Sequence, residues 1–452
     1  MFKKIALSTV AATVTAILAA PAGANIGTSR SDSAQAAALL TAADSADAFA
    51  SDKPEALRPL YRSLFNDGTR NATLNDMRLG VAAMEIGDYA RAEQSFDAAL
   101  EQIETIYANN ERAKQARSKF SKEAVKDFKG EPYERAMAYY YRGLLFLRAG
   151  DYENARASFL QGEYQTTVGE KEEYASSFPM LDYLAGWSSQ CAGDTSRAQE
   201  LYAVAQKSMP SLRAPSAGDN VLVVGELGSA PIKSAAGKHH ELLQFEKANG
   251  DSETGVQFQL VADAANTALA AFEAGSVSYE ATNRGGRAIQ SILDGKAQFK
   301  SVTGAIGDAG AVIGTGVAEV GLLQNDSDMA TVGLAVGLAG ALFRAMADAA
   351  KPDADTRAWD NLPDSVHFST VQRPAGAWQV SATYTGIEKH ATASALDAAS
   401  GKCSLVWMRS KSALAVGEAA PGTQLSAKEV KKLQKKYADT DKAFRTALVT
   451  RN

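Results

Sequence analysis

The sequence predicts an α+β protein that is mostly helical, with an N-terminal α-solenoid and a C-terminal mixed α/β half. In the first half, a Gly-Asp pattern recurs three times with the spacing of helix hairpins. Beyond a Pro/Ser/Gly stretch at 214–218, short β-branched runs replace that pattern. We therefore expect a helical repeat domain at 25–213 and a mixed domain at 219–452, with a helical insertion at about 301–350.

Overall composition sets the broad class of the protein. The 452 residues are 46% hydrophobic and 22% charged, and the formal net charge is −5. These values are ordinary for globular domains and exclude a wholly disordered chain or a polytopic membrane protein. Because there is no basic excess to neutralise a phosphate backbone, we expect no nucleic-acid partner.

Residues 1–24 have the pattern of a secretory signal peptide. Lys3 and Lys4 precede an uncharged, mostly apolar run at 5–20, and the small residues at 22–24 suit cleavage before Asn25. The pattern predicts a periplasmic or secreted bacterial protein, with association with the outer membrane as a further option. An uncleaved anchor helix is the alternative, although the run is short for a membrane span.

The chain has two cysteines, too few for a disulfide scaffold or for a metal site with three thiolate ligands. Cys191 and Cys403 lie in opposite halves of the sequence. In an oxidising compartment they could form a disulfide that ties the two halves together. Two separate buried thiols are the alternative.

Three segments share one spacing of small and aromatic residues. A glycine stands seven residues before the glycine of a Gly-Asp turn, an alanine follows that turn glycine by five, and an aromatic residue comes four later. This spacing suits a helix hairpin, in which the turn ends one helix and caps the next, and the alanine and aromatic residue face the first helix. The residues are Gly80, Gly87, Ala92 and Phe96, then Gly143, Gly150, Ala155 and Phe159, then Gly186, Gly193, Ala198 and Tyr202.

This pattern resembles the tetratricopeptide repeat (TPR), over about 35 residues each at 73–107, 136–169 and 179–212. The resemblance implies a solenoid with a concave surface for a peptide or partner protein. The stretch 130–143, with the repeat after it, also resembles a group of bacterial envelope proteins with TPR-like and α/β halves. That resemblance implies a periplasmic accessory role without an enzymatic activity. A helical bundle with unrelated Gly-Asp turns is the alternative.

Three consecutive tyrosines, Tyr139, Tyr140 and Tyr141, cannot all face one side of a helix. We expect at least one of them to lie on an outer or concave surface, where aromatic side chains serve as binding anchors. Ordinary packing is the expected role of the other two.

The second half contains apolar or alternating runs that predict strands at 220–226, 255–261, 365–371, 378–384 and 403–408. A helix is predicted at about 262–273. We expect one mixed sheet, whose strands come from both sides of the helical insertion.

The insertion is rich in glycine, with nine glycines in residues 301–349. Gly310 and Gly314, then Gly333 and Gly337, recur at a four-residue spacing that lets helix backbones approach closely. The longest uncharged run has 15 residues, whereas a membrane span needs about 20. We predict a tight helical hairpin that is buried or joins copies of the chain, with lipid contact as the alternative.

The last predicted helix begins near Ser426 and is amphipathic. An apolar stripe runs from Val430 to Leu448, and five lysines within 428–436 make the opposite face basic. A solvated surface is one interpretation of this face, and attraction to anionic lipid or glycan is the other.

Sequence motifs for catalysis are scarce. His239 and His240 are adjacent, so they diverge on a regular element and are poor ligands for one metal ion. The blocks around Ser252 and His367 resemble those of GDS-type esterases, but Ser252 follows a polar loop rather than an apolar strand. We therefore expect no enzyme, no cofactor and no metal site, and retain hydrolysis by Ser252 and His367 as the third hypothesis.

Together these observations predict an exported, non-enzymatic scaffold that mediates protein–protein interactions in the bacterial cell envelope. The alternative is a membrane-associated structural component that oligomerises or inserts through its glycine-rich hairpin.

Overall fold

A computed structural model describes residues 45–107, 127–128, 130–167, 178–236, 242–246, 248, 253–262, 265–283, 354–387, 389–394, 402–414 and 427–450. The signal segment 1–24 lies outside these residues. So does the glycine-rich insertion at 301–350, with the helix-packing residues Gly310, Gly314, Gly333 and Gly337.

The protein combines helices and sheets, with more residues in helices than in strands, so the predicted α+β class is confirmed. Short 3-10 turns at Glu55–Leu57 and Thr69–Asn71 precede the second and third helices. The helices are α1 (Ala46–Ala50), α2 (Arg58–Asp67), α3 (Ala72–Glu85), α4 (Tyr89–Tyr107), α5 (Pro132–Ala149), α6 (Tyr152–Thr167), α7 (Pro179–Ala192), α8 (Thr195–Ser208), α9 (Val277–Asn283) and α10 (Ala427–Thr450).

Three helix hairpins, α3–α4, α5–α6 and α7–α8, turn in the same way. In each turn, the glycine N–H donates to the carbonyl three residues before at 3.0 Å, and the aspartate N–H donates to the carbonyl five residues before at 2.9 Å. The aspartate Oδ1 then caps the next helix at 3.1–3.3 Å. The glycines at these turns, all with positive φ, are Gly87, Gly150 and Gly193.

Close packing within each hairpin depends on a glycine of the first helix. A Cβ at that position would come within 2.8 Å of an aromatic ring on the second helix. The alanine one turn before the ring is buried as well. The glycine and aromatic pairs are Gly80 with Phe96, Gly143 with Phe159 and Gly186 with Tyr202, and the alanines are Ala92, Ala155 and Ala198.

Within the described residues, the strands form two four-stranded sheets and a separate hairpin. The strands are β1 (Val221–Leu227), β2 (Ile232–Ala236), β3 (Leu242–Glu246), β4 (Gly255–Ala262), β5 (Ala265–Leu269), β6 (Phe272–Ser276), β7 (Ser365–Val371), β8 (Trp378–Thr385), β9 (Lys389–Ala393) and β10 (Ser404–Arg409). The inner sheet has the order β10-β1-β7-β6, the outer sheet has the order β5-β4-β8-β9, and β2 pairs with β3.

The prediction of a single mixed sheet is wrong, although the inner sheet is itself mixed. In that sheet β1 is parallel to β10 and antiparallel to β7. Strands from both sides of the insertion take part, since β1–β6 precede residue 301 and β7–β10 follow residue 350. The inner and outer sheets pack face to face. The helices cover one apolar face of the inner sheet, and the outer sheet covers the other.

The helix predicted at 262–273 is also wrong, because the end of β4, all of β5 and the first two residues of β6 lie in this stretch. β5 pairs antiparallel with β4, with Leu269 opposite Phe258. The alanine-rich composition of this stretch favours a helix. Here, however, pairing with β4 and β7 provides the partners for the backbone hydrogen bonds.

The inner sheet is the middle of three layers. On β1, Leu222 and Val224 pack into the core that includes the helical hairpins. The alternate residues Val221 and Val223 pack against Phe258 and other residues of the outer sheet. Both faces of β1 are therefore buried, which accounts for its continuous apolar sequence.

The last helix, α10, returns to the first half of the chain. Its Asp441 carboxylate accepts hydrogen bonds from the Thr69 backbone N–H at 2.8 Å and the Thr69 hydroxyl at 2.9 Å. Leu448 is buried in the same core as the hairpins. Among the described residues, no helix is both long and apolar enough to cross a membrane.

Candidate functional site

The first helix of each hairpin faces the second half of the chain. On α7, the Tyr183 ring lies 5.4 Å from the ring of Phe368 on β7. On α3, the Arg78 guanidinium pairs with Asp360 at 2.6 Å, and the Arg78 carbonyl accepts from the Asn361 side chain at 3.0 Å. The surface made by these first helices is therefore covered by the inner sheet and by the segment at 354–362.

Of the three consecutive tyrosines, two are fully enclosed, and only Tyr139 lines an open groove, which is described below. Tyr140 and Tyr141 have no exposed surface, and Tyr139 is 5% exposed. The reason is that α5 is enclosed on several sides, by α4, by α6 and by the inner sheet. The two inner tyrosines point to the sheet, and Tyr139 points to α4.

A buried carboxylate, Glu226, lies where α5 meets the inner sheet. It is at the end of β1 and is 1% exposed. Its Oε1 accepts hydrogen bonds from Tyr140 Oη at 3.1 Å and Trp407 Nε1 at 2.9 Å. Its Oε2 accepts from Tyr141 Oη at 2.9 Å and lies 3.3 Å from Arg409 Nε.

The same cluster holds a buried cation and two neutral phenols. Arg409 Nη2 donates to the Asn361 carbonyl at 2.6 Å. Burial raises the pKa of Tyr140 and Tyr141 well above the usual value, and the charge of Glu226 adds to this shift. Both phenols therefore stay protonated and act as hydrogen-bond donors. Because both carboxylate oxygens are already engaged, this cluster fixes the interface rather than supplying a reactive group.

A second buried ion pair, between Glu134 and Lys233, joins α5 to β2. The Glu134 Oε2 to Lys233 Nζ distance is 2.6 Å, and neither side chain is more than 2% exposed. Glu134 Oε1 also accepts from the Trp359 backbone N–H at 2.9 Å, and Lys233 donates to the Arg357 carbonyl at 3.0 Å. This pair therefore holds three separate parts of the chain together.

A disulfide links Cys191, near the end of α7, to Cys403, just before β10. The Cα atoms are 5.8 Å apart. The Cys403 backbone N–H donates to Tyr152 Oη, at the start of α6, at 3.0 Å. The bond connects the third hairpin directly to an edge strand of the inner sheet.

An open groove of about 560 Å³ lies between α4, α5 and α6, and is called here the acidic groove. Arg142 pairs with Asp97 at 2.7 Å and stacks on the Phe146 ring at 3.8 Å. Tyr139 Oη donates to Glu104 at 3.0 Å. The groove is lined by Asp97, Leu100, Glu101, Glu104, Tyr139, Arg142, Phe146, Asn154, Ala157, Ser158 and Gln161.

A second open groove, of about 630 Å³, lies at the first Gly-Asp turn. It is bounded by Gly87 and Asp88 of that turn, and Arg148 stacks on the Tyr89 ring at 3.8 Å. Among the described residues, two carboxylates, Asp88 and Glu93, line this groove, against three in the acidic groove.

Most of the residues that the sequence suggested for catalysis or metal binding lie outside the part of the chain that the structure describes. Ser252, His239 and His240 lie outside the described residues. His367 lies on β7, where burial lowers its pKa to about 4 and Ser365 Oγ is 3.4 Å from its Nε2. Within the described ranges, no group of three or more histidine, cysteine, aspartate or glutamate side chains could hold a metal ion.

The buried charges of Glu226 and Arg409 were not predicted from the sequence, although the sequence contains an indication of them. Glu226 is the next-to-last residue of β1 and Arg409 is the last residue of β10, and a charged residue is buried in such a mostly apolar strand only with a partner. A search for such residues would have suggested an ion pair between β1 and β10. No family model matches the chain, and no curated protein or solved structure shows significant similarity to it.

Proposed function

We propose that this protein is an exported, non-enzymatic scaffold that binds a protein partner in the bacterial cell envelope through TPR-like helical hairpins. The signal pattern at 1–24 supports export. Consecutive packing of α4 on α5 and of α6 on α7 supports a continuous helical array. The observation that carries the proposal is the repetition of one turn geometry at Gly87, Gly150 and Gly193.

The acidic groove is the partner site that we infer. The usual binding face of such an array is made by first helices, and here the chain's own sheet covers that face. The acidic groove instead opens outward and holds three carboxylates, Asp97, Glu101 and Glu104, against one cation, Arg142. This charge, next to apolar surface from Leu100 and Phe146, favours a partner segment with lysine or arginine beside apolar residues.

An affinity pull-down from envelope extract tests this proposal. The parent protein is compared with a groove variant, Glu101→Lys with Glu104→Lys, and with a charge-matched control, Glu55→Lys with Glu200→Lys. Both control residues are exposed, and neither they nor their chain neighbours line the groove. We expect the control to retain the partner, and the groove variant to bind the recovered partner at least about tenfold more weakly. Equal retention by both variants would overturn the groove assignment.

The second candidate function is self-association or membrane anchoring through the glycine-rich insertion. The four-residue spacing of Gly333 and Gly337 in the sequence favours it. The variant Gly333→Leu with Gly337→Leu separates the two candidates in the same pull-down. Loss of self-association only in this variant would favour the structural component, whereas retained partners would favour the scaffold.

A further inference from the structure

Within the described part of the chain, the second half of the C-terminal helix α10 makes the hydrogen bonds that hold it to the rest of the protein. Tyr437 Oη donates to Asp127 at 2.8 Å, and Arg445 Nε donates to the Phe65 carbonyl at 3.1 Å. Asp441 binds Thr69, as described above, and Leu448 is 3% exposed. These contacts begin at Tyr437 and continue to the end of the helix.

The first ten residues of α10, 427–436, extend beyond those contacts. At about 1.5 Å per residue they form an arm about 15 Å long. Val430 is 39% exposed, one of the few large apolar side chains in the described part of the protein with that much exposure. Leu433 is half-buried, and the other described side chains of the arm are exposed.

The arm carries a row of five lysines, called here the lysine face. At about 100° per residue, four of the five lie on the side of the helix opposite to Tyr437 and Leu448. The fifth, Lys436, lies at the edge of this face, where its Nζ donates to Tyr437 Oη at 3.4 Å. Within the part of the chain that the structure describes, none of the five forms an ion pair. The lysine face consists of Lys428, Lys431, Lys432, Lys435 and Lys436.

Like charge is concentrated on the arm, and an external anion would relieve the repulsion. Lys428 and Lys436 each lie four residues from Lys432, and Lys431 lies four residues from Lys435. Each such pair destabilises a helix by about 0.2–0.5 kcal/mol. The whole chain has a net charge of −5, so the lysine face is a local exception to the charge of the protein.

We propose that the lysine face binds the surface of a lipid bilayer that contains anionic phospholipid. Ammonium groups spread along about 12 Å of exposed helix match an extended anionic surface better than a compact ligand. Each lysine near such a surface contributes about 1 kcal/mol at physiological ionic strength. The inference stands independently of the proposed scaffold function.

Vesicle co-sedimentation of the full mature chain tests the inference. One set of vesicles is pure phosphatidylcholine, and in the other about a third of the lipid is phosphatidylglycerol. We expect binding to the anionic vesicles only, and loss of that binding at about 0.5 M salt, where the Debye length is only a few ångströms. Binding to both kinds of vesicle, or to neither, would overturn the proposal.

Charge-matched variants locate the contact on α10. The variant Lys432→Glu with Lys435→Glu is expected to weaken binding to anionic vesicles at least about tenfold, because two attractive charges become repulsive. The control, Lys207→Glu with Lys402→Glu, changes net charge equally at exposed sites away from α10. An equal loss in both variants would show a non-specific charge effect and reject the lysine face. Unchanged thermal unfolding of both variants is the check on folding.

Discussion

Tyr141 Oη donates a hydrogen bond to Glu226 Oε2 across 2.9 Å, and this bond joins α5 to β1, an interior strand of the inner sheet. Tyr140, Trp407 and Arg409 complete the enclosure of the same carboxylate. The helical array and the sheet are thus joined by buried polar contacts as well as apolar packing. Such contacts require one relative position of the two halves, because a small displacement would leave several buried polar groups without partners.

Replacement of Glu226 is expected to be among the most destabilising single substitutions in the interface. In Glu226→Gln, the buried Arg409 cation loses its carboxylate partner, which costs about 3–5 kcal/mol in the free energy of unfolding. Tyr141→Phe removes one hydrogen bond and is expected to cost about 1–2 kcal/mol. Urea denaturation of each variant gives both values.

The matched control for this experiment is Glu200→Gln, on the exposed side of α8. Glu200 pairs with Arg197 at the surface, so its loss is expected to change stability by about 0.5 kcal/mol or less. A cost for Glu226→Gln as small as that of the control would contradict the role of the buried cluster.

Two glycine substitutions distinguish the destabilising effect of overpacking from that of an unfavourable backbone conformation. A Cβ at Gly143 would collide with the Phe159 ring, and Gly143→Ala is expected to cost about 1–3 kcal/mol through overpacking. Gly87 has a φ of 77° with nothing within 4 Å of an added Cβ, so Gly87→Ala is expected to cost about 1 kcal/mol through the backbone alone. Thermal unfolding measures both.

The double variant Gly143→Ala with Phe159→Leu tests the assigned cause. If the ring is what the new methyl group meets, the pair is expected to be non-additive, because the smaller side chain leaves room for it. Additive losses would mean that the glycine is required for another reason.

The buried carboxyl of Asp182, on α7, is expected to make stability depend on pH. Burial raises its pKa to about 6. Between pH 4 and pH 6 the native carboxyl holds a proton that the unfolded chain has released, so the contribution of Asp182 falls as pH rises through this range and is constant above it. Asp182→Asn is therefore expected to be about 1–2 kcal/mol more stable than the parent at pH 7.

Urea denaturation of the parent and of Asp182→Asn at several pH values checks this prediction. The difference in the free energy of unfolding should disappear near pH 4, where the aspartic acid is neutral in the native state. A difference that does not change with pH would contradict the raised pKa.

Removal of the disulfide is expected to lower stability strongly. Cys191 and Cys403 are separated by 212 positions, so the bridge restricts a large part of the unfolded chain. Cys191→Ala with Cys403→Ala is expected to cost about 2–5 kcal/mol. The midpoint of thermal unfolding, with and without reductant, measures the effect. If the parent with reductant stays as stable as without it, while thiol titration shows both cysteines free, the bridge has no stabilising role.

Several features of the fold were predictable because they depend on nearby residues. The turns at Gly87, Gly150 and Gly193 follow from a residue with positive φ and a capping aspartate within a few positions. Strand β1 is apparent from its uninterrupted apolar run. The glycine and aromatic pairs, such as Gly80 with Phe96, follow from the hairpin spacing once the turn is identified.

Other features were not predictable because they depend on partners far along the chain. The described residues of the alanine-rich stretch 262–273 are mostly in strands because β4 and β7 were available as hydrogen-bonding neighbours. The acidic groove brings side chains of α4 together with those of α5 and α6, and nothing in the spacing of the carboxylates alone indicates this.

The amino-acid sequence determined the local conformations of this protein: the capped helix hairpins, the positions of most long strands and the basic face of α10. Tertiary packing decided what those elements cover, since it buried Tyr139, Tyr140 and Tyr141 and enclosed Glu226. The physical reason is the range of the interactions. Hydrogen bonds of turns and helices join residues a few positions apart, whereas burial depends on surfaces brought together from residues as distant as Tyr141 and Trp407.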